Sequence, residues 1–286
     1  MISDITLGQF FPGRSLIHRL DPRTKIILAT LFIVAVFVAS NPVSFAILFV
    51  TTLILIAISN ISFKVILKSV KPIVFILIFT AILNIFMTKG EGTPLLSFWV
   101  INIYTEGIAR AVMMALRVMI LIVGTSILLT YTTSPISLTD GFESLLSPLK
   151  KIKVPVHTFA MMMSIALRFI PTLIEETEKI MNAQKSRGAD FTSGSLVQRA
   201  KALIPLLVPL FVSSFKRAEE LATAMECRCY RGDKNRTKLV KLEYKGLDFV
   251  FMVVFALLLG SLICLTVVPY NYESFGIIYD LLFFKV

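Results

Sequence analysis

Five apolar runs constrain this chain more than any other feature of its sequence. They lie at roughly 25–40, 43–59, 72–88, 107–131 and 247–268. In hydrocarbon every backbone polar group needs a partner inside the protein, so uncharged runs of this length are expected to be transmembrane α-helices. The first two runs contain about 15 to 17 residues, near the lower limit for a bilayer, so some thinning of the bilayer or partial burial is expected.

The composition excludes an ordinary soluble domain. Hydrophobic residues make up 56% of the 286 positions and charged residues only 16%, where a soluble domain has about 25% charged residues. We therefore predict an all-α integral membrane protein with about five transmembrane helices, joined to a cytoplasmic-side domain of one short helix and two long ones. No cleavable signal peptide is expected, because the first 25 residues are polar and lack a short apolar core.

The basic residues predict the orientation in the membrane. Twenty-five of the 29 lysines and arginines lie in the first 25 residues, in the connection 60–71, which we interpret as a loop, and in the segment 134–246. The positive-inside rule then places the N-terminus and residues 134–246 in the cytoplasm and the C-terminus outside. We divide the chain into a four-span bundle (1–133), a cytoplasmic or interfacial domain (134–246), and a final span with an external tail (247–286).

Two further stretches, 154–174 and 202–215, are nearly apolar enough to suggest additional spans. The second is only about 14 residues long, and the first contains His157 and Arg168, which are costly at the centre of a bilayer. If both crossed, the basic loop between them would lie outside. We therefore expect two long helices in or beneath the membrane interface, each with an apolar and a charged half.

The helix signals in this segment are clear at both long helices. A short helix capped by Thr139-Asp140 is predicted to run to about Leu149. A second helix is predicted from Val156 to about Ser186, with a kink at Pro171. A third is predicted from near Ser195 to about Cys229.

The two long helices end alike. Aligned on Arg187 and Arg228, their last turns share Glu, Ala and Arg at equal spacing, with an apolar residue seven positions before the arginine. A guanidinium at a helix C-terminus offers a rigid fork of donors to carboxylates, so two such ends suit two similar acidic sockets. A solvated or lipid-facing arginine is the alternative, and for the pair the two readings are about even.

The apolar halves of the same helices suit contact with another membrane protein. We single out Met161, Met162, Met163 and Leu207, since unbranched thioethers adapt to different surfaces. Ordinary packing or lipid contact would explain the methionines equally well.

Several classes of chemistry find no support in the sequence. There is no P-loop, no H-E-x-x-H motif and no nucleophile elbow. Cys227 and Cys229 have no neighbouring ligand to complete a metal site, so free cytosolic thiols are expected. Arg110 and Arg117 share a face of the fourth span, where a functional role and a structural one are equally plausible.

These features together resemble the transmembrane T component (EcfT, CbiQ family) of energy-coupling factor (ECF) transporters. The resemblance rests on the block PGRSLIHRLDPRTK at 12–25, the helix around Leu167–Pro171, and the tripeptides Ser186-Arg187-Gly188 and Cys227-Arg228-Cys229. In the family, an Ala-Arg-Gly-like tripeptide ends each of two coupling helices. Cys229 stands where a glycine is usual, so the second match is looser.

The resemblance implies a non-catalytic subunit in the cell membrane that works with two ABC-type ATPases and a substrate-binding membrane subunit, the S component. Both tripeptides would dock the ATPases, and the apolar halves would hold the S component for vitamin or metal-ion uptake. ATP and Mg would be bound by the ATPases and no cofactor by this chain, and nucleic acid is not expected as a partner. The main alternative is a pore-forming permease of another ABC transporter, although the spans offer few polar residues to line a path.

Overall fold

A computed structural model describes residues 10–87, 96–98, 101–189, 191, 195–230, 232 and 242–267. They form eight α-helices: α1 (Pro22–Val38), α2 (Pro42–Ser59), α3 (Phe63–Met87), α4 (Thr105–Thr125), α5 (Pro135–Leu145), α6 (Val156–Ser186), α7 (Leu196–Cys227) and α8 (Gly246–Val267). A π-helical turn, Ser126–Tyr131, continues α4, and a 3-10 turn, Ser147–Ile152, follows α5. The strands β1 (Leu96–Phe98) and β2 (Ile101–Ile103) pair antiparallel in a small hairpin. The all-α membrane fold class is confirmed, with this hairpin as an addition.

Four helical stretches are long and apolar enough to cross a membrane: Pro42–Ser59, Gly107–Tyr131, Val156–Ser186 and Gly246–Thr266. Three of them coincide with predicted spans. The predicted span at 72–88 corresponds to a shorter apolar stretch, Val70–Phe86, and the one at 25–40 to α1. Helix α6 also meets the length and composition criteria, so the interfacial position expected for its apolar half remains a prediction.

The predicted loop at 60–71 is wrong. The connection between α2 and α3 is only Asn60–Ser62, with Asn60 in the left-handed region at a φ of 54°, and α3 begins at Phe63. Lysines at 64, 68 and 71 had suggested solvent. A lysine stem can lie along apolar surface while its ammonium group reaches water. The three lysines are therefore compatible with the first turns of α3, where the structure places them.

The turn between α1 and α2 matches its sequence signals. Asp21 caps α1 by accepting a hydrogen bond from the Arg23 backbone N–H, and α1 ends at Val38. Asn41 precedes α2, and Pro42 is its first residue, where a missing N–H costs nothing. Residues 39–41 therefore form a short connection between α1 and α2.

The described residues fall into two compact units. The membrane unit takes residues 10–134 and 242–267, and the helical unit takes residues from 135 to 232. The three-part division drawn from the sequence remains a prediction, but α8 packs against α1 and so belongs with the N-terminal bundle. Its contacts include the Asn41 amide, which donates to the Leu265 carbonyl at 3.0 Å.

The core of the membrane unit lies between α1, α2, the α4–π-helical segment and α8. Phe32, Leu48, Leu128 and Leu262 are among its fully buried side chains. Gly124 is needed here, because a Cβ at that position would overlap the ring of Phe32. The close approach of α1 to α4 therefore depends on a residue without a side chain.

The helical unit contains α5, α6 and α7. The α5 and α6 helices are joined by a buried contact in which His157 Nδ1 lies 2.8 Å from Glu143 Oε1. The predicted cap at Thr139-Asp140 is wrong, because α5 begins at Pro135 and the Thr139 hydroxyl donates to the Pro135 carbonyl at 3.0 Å, inside the helix. The α6 bounds agree with the prediction, and α7 begins one residue after its predicted start and ends two residues early.

A candidate docking site at two helix ends

Both long helices end at an arginine with the same backbone geometry. Arg187 is the residue that follows the last helical residue of α6, with φ −89° and ψ 6°. Arg228 takes the same place after α7, with φ −90° and ψ 16°. The matching of their sequences therefore extends to backbone conformation.

The hydrogen bonds that close the two helices are also equivalent. After α6, Gly188 N–H donates to Lys185 O at 2.9 Å and Ala189 N–H to Gln184 O at 3.0 Å. After α7, Cys229 N–H donates to Glu226 O at 2.8 Å and Tyr230 N–H to Met225 O at 3.0 Å. Each pair of bonds is a Schellman motif, which uses carbonyls that the helix end would otherwise leave unpaired.

A Schellman motif requires a left-handed residue directly after the arginine. Gly188 adopts it at φ 89°, and Cys229 adopts it at φ 58°. For a residue with a Cβ this conformation costs roughly 1 kcal/mol or more. A glycine avoids this cost, and Cys229 is held in the conformation by the surrounding backbone hydrogen bonds.

Both tripeptides point into open space. Ser186, Arg187, Gly188, Cys227, Arg228 and Cys229 are all exposed. Within the part of the chain that the structure describes, neither guanidinium forms a hydrogen bond or an ion pair. The arrangement presents two like-shaped turns, each offering one rigid set of donors to an external acceptor.

The two helices meet at equivalent positions. Arg217 Nη2 of α7 donates to Glu176 Oε2 of α6 at 2.9 Å. These residues are 41 positions apart, as are Arg187 and Arg228. The contact therefore lies at the same distance along each helix from its terminal arginine.

The predicted apolar platform is exposed on both helices. Met162, Met163 and Leu207 are exposed, at 54%, 39% and 55%, whereas Met161 is half-buried. The exposed apolar face of α7 is larger than Leu207 alone, which is the one residue predicted from the sequence. An exposed apolar stripe extends from Leu207 in both directions along the helix. Its further members, spaced three or four residues apart, are Ile204, Val208, Phe211, Val212 and Phe215.

The membrane unit contains a polar cluster that the sequence reading did not find. Asp248, at the start of α8, accepts from the backbone N–H groups of Asp21 at 2.8 Å and Lys245 at 2.7 Å. Lys25 donates to the Thr132 carbonyl at 2.7 Å. Lys25 and Asp248 are buried, and together these bonds tie the start of α1 to the start of α8 and to the residue after the π-helical turn.

Arg117 acquires a structural role. Its Nη2 donates to the Ala39 carbonyl at 2.7 Å, and the guanidinium lies 5.2 Å from the centre of the Phe45 ring. It therefore fixes the α1–α2 turn against α4. Arg117, Lys25 and Asp248 each contact a segment far away in sequence. The sequence marks these residues only as charges inside or beside an apolar run, and it does not indicate their partners.

No metal centre is found in the described segments, where no three His, Cys, Asp or Glu side chains lie close enough together to hold an ion. Cys227, Cys229 and Cys264 are free thiols. The predicted absence of a bound cofactor remains a prediction.

The sequence matches the family described as cobalt transport protein, CbiQ, over residues 13–239. The chain belongs to the CbiQ family. The matched range takes in nearly all of the N-terminal block at 12–25 and both arginine turns. With four helices in the described residues long and apolar enough to span a membrane, this chain is a multi-pass membrane protein.

Relatives within the family are similar over most of their length. The chain is 54% identical over 250 residues to the energy-coupling factor transporter transmembrane protein EcfT of Clostridium kluyveri, covering 87% of this chain and 92% of the relative. It is 50% identical over 262 residues to EcfT of Bacillus subtilis, covering 91% and 98%. The resemblance to EcfT stated from sequence motifs is confirmed.

Proposed function

We propose that this chain is the transmembrane coupling subunit of an ATP-driven importer of the ECF type. Two ABC-type ATPases dock on the arginine turns, and a substrate-binding S component rests on the apolar platform. ATP-driven movement of the ATPases shifts α6 and α7, and this motion reorients the S component so that its vitamin or metal ion reaches the cytoplasm. ATP and Mg are bound by the ATPases, and this chain is non-catalytic.

One observation carries the docking proposal. The two arginines share dihedral angles, Schellman hydrogen bonds and exposure, although their helices differ in most other residues. An arginine with no partner among the described residues, held by a rigid turn, loses little entropy when it binds a carboxylate. Two such turns on one chain suit two homologous sockets. The EcfT names of its relatives support a pair of ATPases as the proteins that contain these sockets.

The platform proposal rests on exposed apolar side chains. The stripe on α7 and the exposed Met162 and Met163 on α6 form large apolar surfaces. Exposed patches of this kind mark sites of contact with another protein or with the membrane. A small hydrophobic membrane protein is the occupant that fits such a surface beside a bilayer.

The orientation follows from charge. The N-terminus and both arginine turns lie in the cytoplasm, where ATP is available, and the C-terminus lies outside. The protein is located in the cell membrane. A pore-forming permease of another ABC system is not favoured, because the relatives carry the EcfT name and the platform offers an apolar surface where a permease needs a polar path.

The proposal is tested by purifying the tagged chain from its native membrane and identifying what accompanies it. Recovery of two ATPases and a small hydrophobic protein is the expected result. Recovery of the chain without any ATPase, under conditions that keep membrane complexes intact, would contradict the proposal.

A further inference from the structure

The two arginine turns differ in one chemical respect. In the first, Arg187 lies between a serine and a glycine, which are inert toward disulfides. In the second, Arg228 lies between Cys227 and Cys229, and both thiols are free and exposed. The geometry of the turns is otherwise the same, so any thiol chemistry acts on one of two equivalent docking sites.

The thiols lie directly beside the arginine that docks. Cys227 is the last residue of α7, and Cys229 follows Arg228 in the left-handed position of the Schellman motif. Both cysteines are direct sequence neighbours of Arg228. A group attached to either sulfur therefore occupies space next to the Arg228 backbone.

We propose that Cys227-Arg228-Cys229 is a thiol-modification site that responds to low-molecular-weight disulfides while the turn is undocked and, when modified, blocks the second ATPase contact. This regulation rests on the proposed docking function. In the reduced cytosol both thiols are free, and the turn is competent to dock.

The chemistry is thiol–disulfide exchange. The thiolate of Cys227 or Cys229 attacks one sulfur of a small disulfide RSSR, a new S–S bond forms to that sulfur, and the original S–S bond breaks. The other half leaves as a thiolate and takes up a proton. The cysteine is oxidised and one half of RSSR is reduced, and a second small thiol reverses the step.

Modification disrupts docking for a steric reason. In both turns the arginine is flanked only by small residues, Ser186 and Gly188 in the first and Cys227 and Cys229 in the second. Little bulk therefore stands beside the guanidinium when it enters a socket. An adduct as large as a tripeptide beside Arg228 holds the guanidinium away from an acidic socket. Loss of one partner of a buried charged contact lowers affinity by about 30-fold or more.

A metal ion is a weaker explanation for the thiol pair. Stable protein sites for zinc use four ligands, or three plus water. Among the described residues no third ligand lies near the two cysteines. Covalent exchange needs only one exposed thiol and therefore fits the observed site better.

The test uses the full-length chain, purified in detergent and reduced. It is treated with oxidised glutathione, freed of excess reagent and mixed with its two ATPase subunits. Intact mass and peptide mapping locate the adduct, and the dissociation constant for the ATPases is measured before and after treatment. The expected result is an adduct at Cys227 or Cys229, an affinity about 30-fold weaker or more, and full recovery on reduction.

For each of three variants, the dissociation constant for the ATPases after treatment is divided by the one before treatment. This ratio corrects for any difference in affinity that the substitution itself causes. Cys227→Ser with Cys229→Gly converts the second turn to the composition of the first, and its ratio should be one. Adding Ser186→Cys to that variant should transfer the sensitivity to the first turn. Cys264→Ser, which removes the third thiol, should respond like the parent chain.

The outcomes separate this inference from the docking function. If treated protein carries the adduct and still binds the ATPases with its original affinity, or if neither cysteine forms an adduct, the modification site is overturned. The same holds if the doubly substituted turn remains sensitive. If Arg228→Ala binds the ATPases as tightly as the parent chain, the docking function itself fails.

Discussion

The Glu176 carboxylate of α6 accepts a hydrogen bond of 2.9 Å from the Arg217 guanidinium of α7, and each residue lies eleven positions before the arginine that ends its helix. Eleven helical residues span about 16 Å, so each docking turn is the same distance along its helix from the shared contact. We therefore expect this contact to couple movement of one helix to the other.

The Glu176–Arg217 pair is expected to matter for coupling more than for stability. Both side chains are partly exposed, so breaking the pair costs only about 0.2–1 kcal/mol of folding free energy. Arg217→Glu should reduce substrate uptake while ATPases still co-purify, and adding Glu176→Arg should restore uptake. Lys216→Glu is the matched control, as an exposed neighbour with the same change of charge. Failure of the reversed pair to restore uptake would contradict a pivot at this contact.

The buried Lys25 contact should stabilise the membrane unit. The Lys25 side chain is 2% exposed and its ammonium group donates to the Thr132 carbonyl. Hydrogen bonds to charged groups contribute about 1.5–3 kcal/mol. Lys25→Met keeps the length of the side chain and should lower the thermal unfolding midpoint of the detergent-solubilised protein. Lys64→Met, at an exposed position on α3, should leave the midpoint unchanged, and equal midpoints for all three proteins would show that the buried bond contributes nothing.

The sequence predicted the elements that carry the proposed site better than the contacts between them. The C-terminal end of α6 follows from a local signal, because Gly188 adopts the left-handed conformation that stops a helix. The start of α7 does so too, since Ser195 is its N-cap and Gln198 completes the capping box. The start of α3 at Phe63 differs from the predicted loop at 60–71, because the lysines at 64, 68 and 71 are typical of a solvent-exposed loop. The Lys25, Asp248 and Arg117 contacts join distant segments, and no local pattern specifies a tertiary partner.

The apolar platform should hold the S component independently of the ATPases. Met162→Glu and Leu207→Glu place a charge on surfaces that are exposed in this chain and covered in the proposed complex. Burying an unpaired charge is costly, so the S component should be lost while both ATPases are retained. Thr223→Glu, at an exposed position in the polar half of α7, is the control. Wild-type stoichiometry of the S component with both platform positions charged would place its binding surface elsewhere.

The orientation can be measured with single cysteines in a background that lacks Cys227, Cys229 and Cys264. On intact cells an impermeant thiol reagent should label Ser40→Cys in the α1–α2 turn and should not label Ser147→Cys, which lies outside both docking turns. After permeabilisation both should react, because both positions are exposed. Labelling of position 147 on intact cells would contradict the predicted topology.

Docking by the two arginines is the central claim, and ATPase binding to the Arg187→Ala/Arg228→Ala variant tests it most directly. Each truncation leaves an acidic partner unpaired at a cost of about 2–5 kcal/mol, so the double variant should lose the ATPases and all uptake. Lysine at both positions should restore binding only in part, because an ammonium lacks the bidentate fork. Lys185→Ala, which removes a nearby exposed charge, should bind normally. ATPase affinity that is unchanged in the double alanine variant, or equally weak in Lys185→Ala, would contradict docking through these two turns.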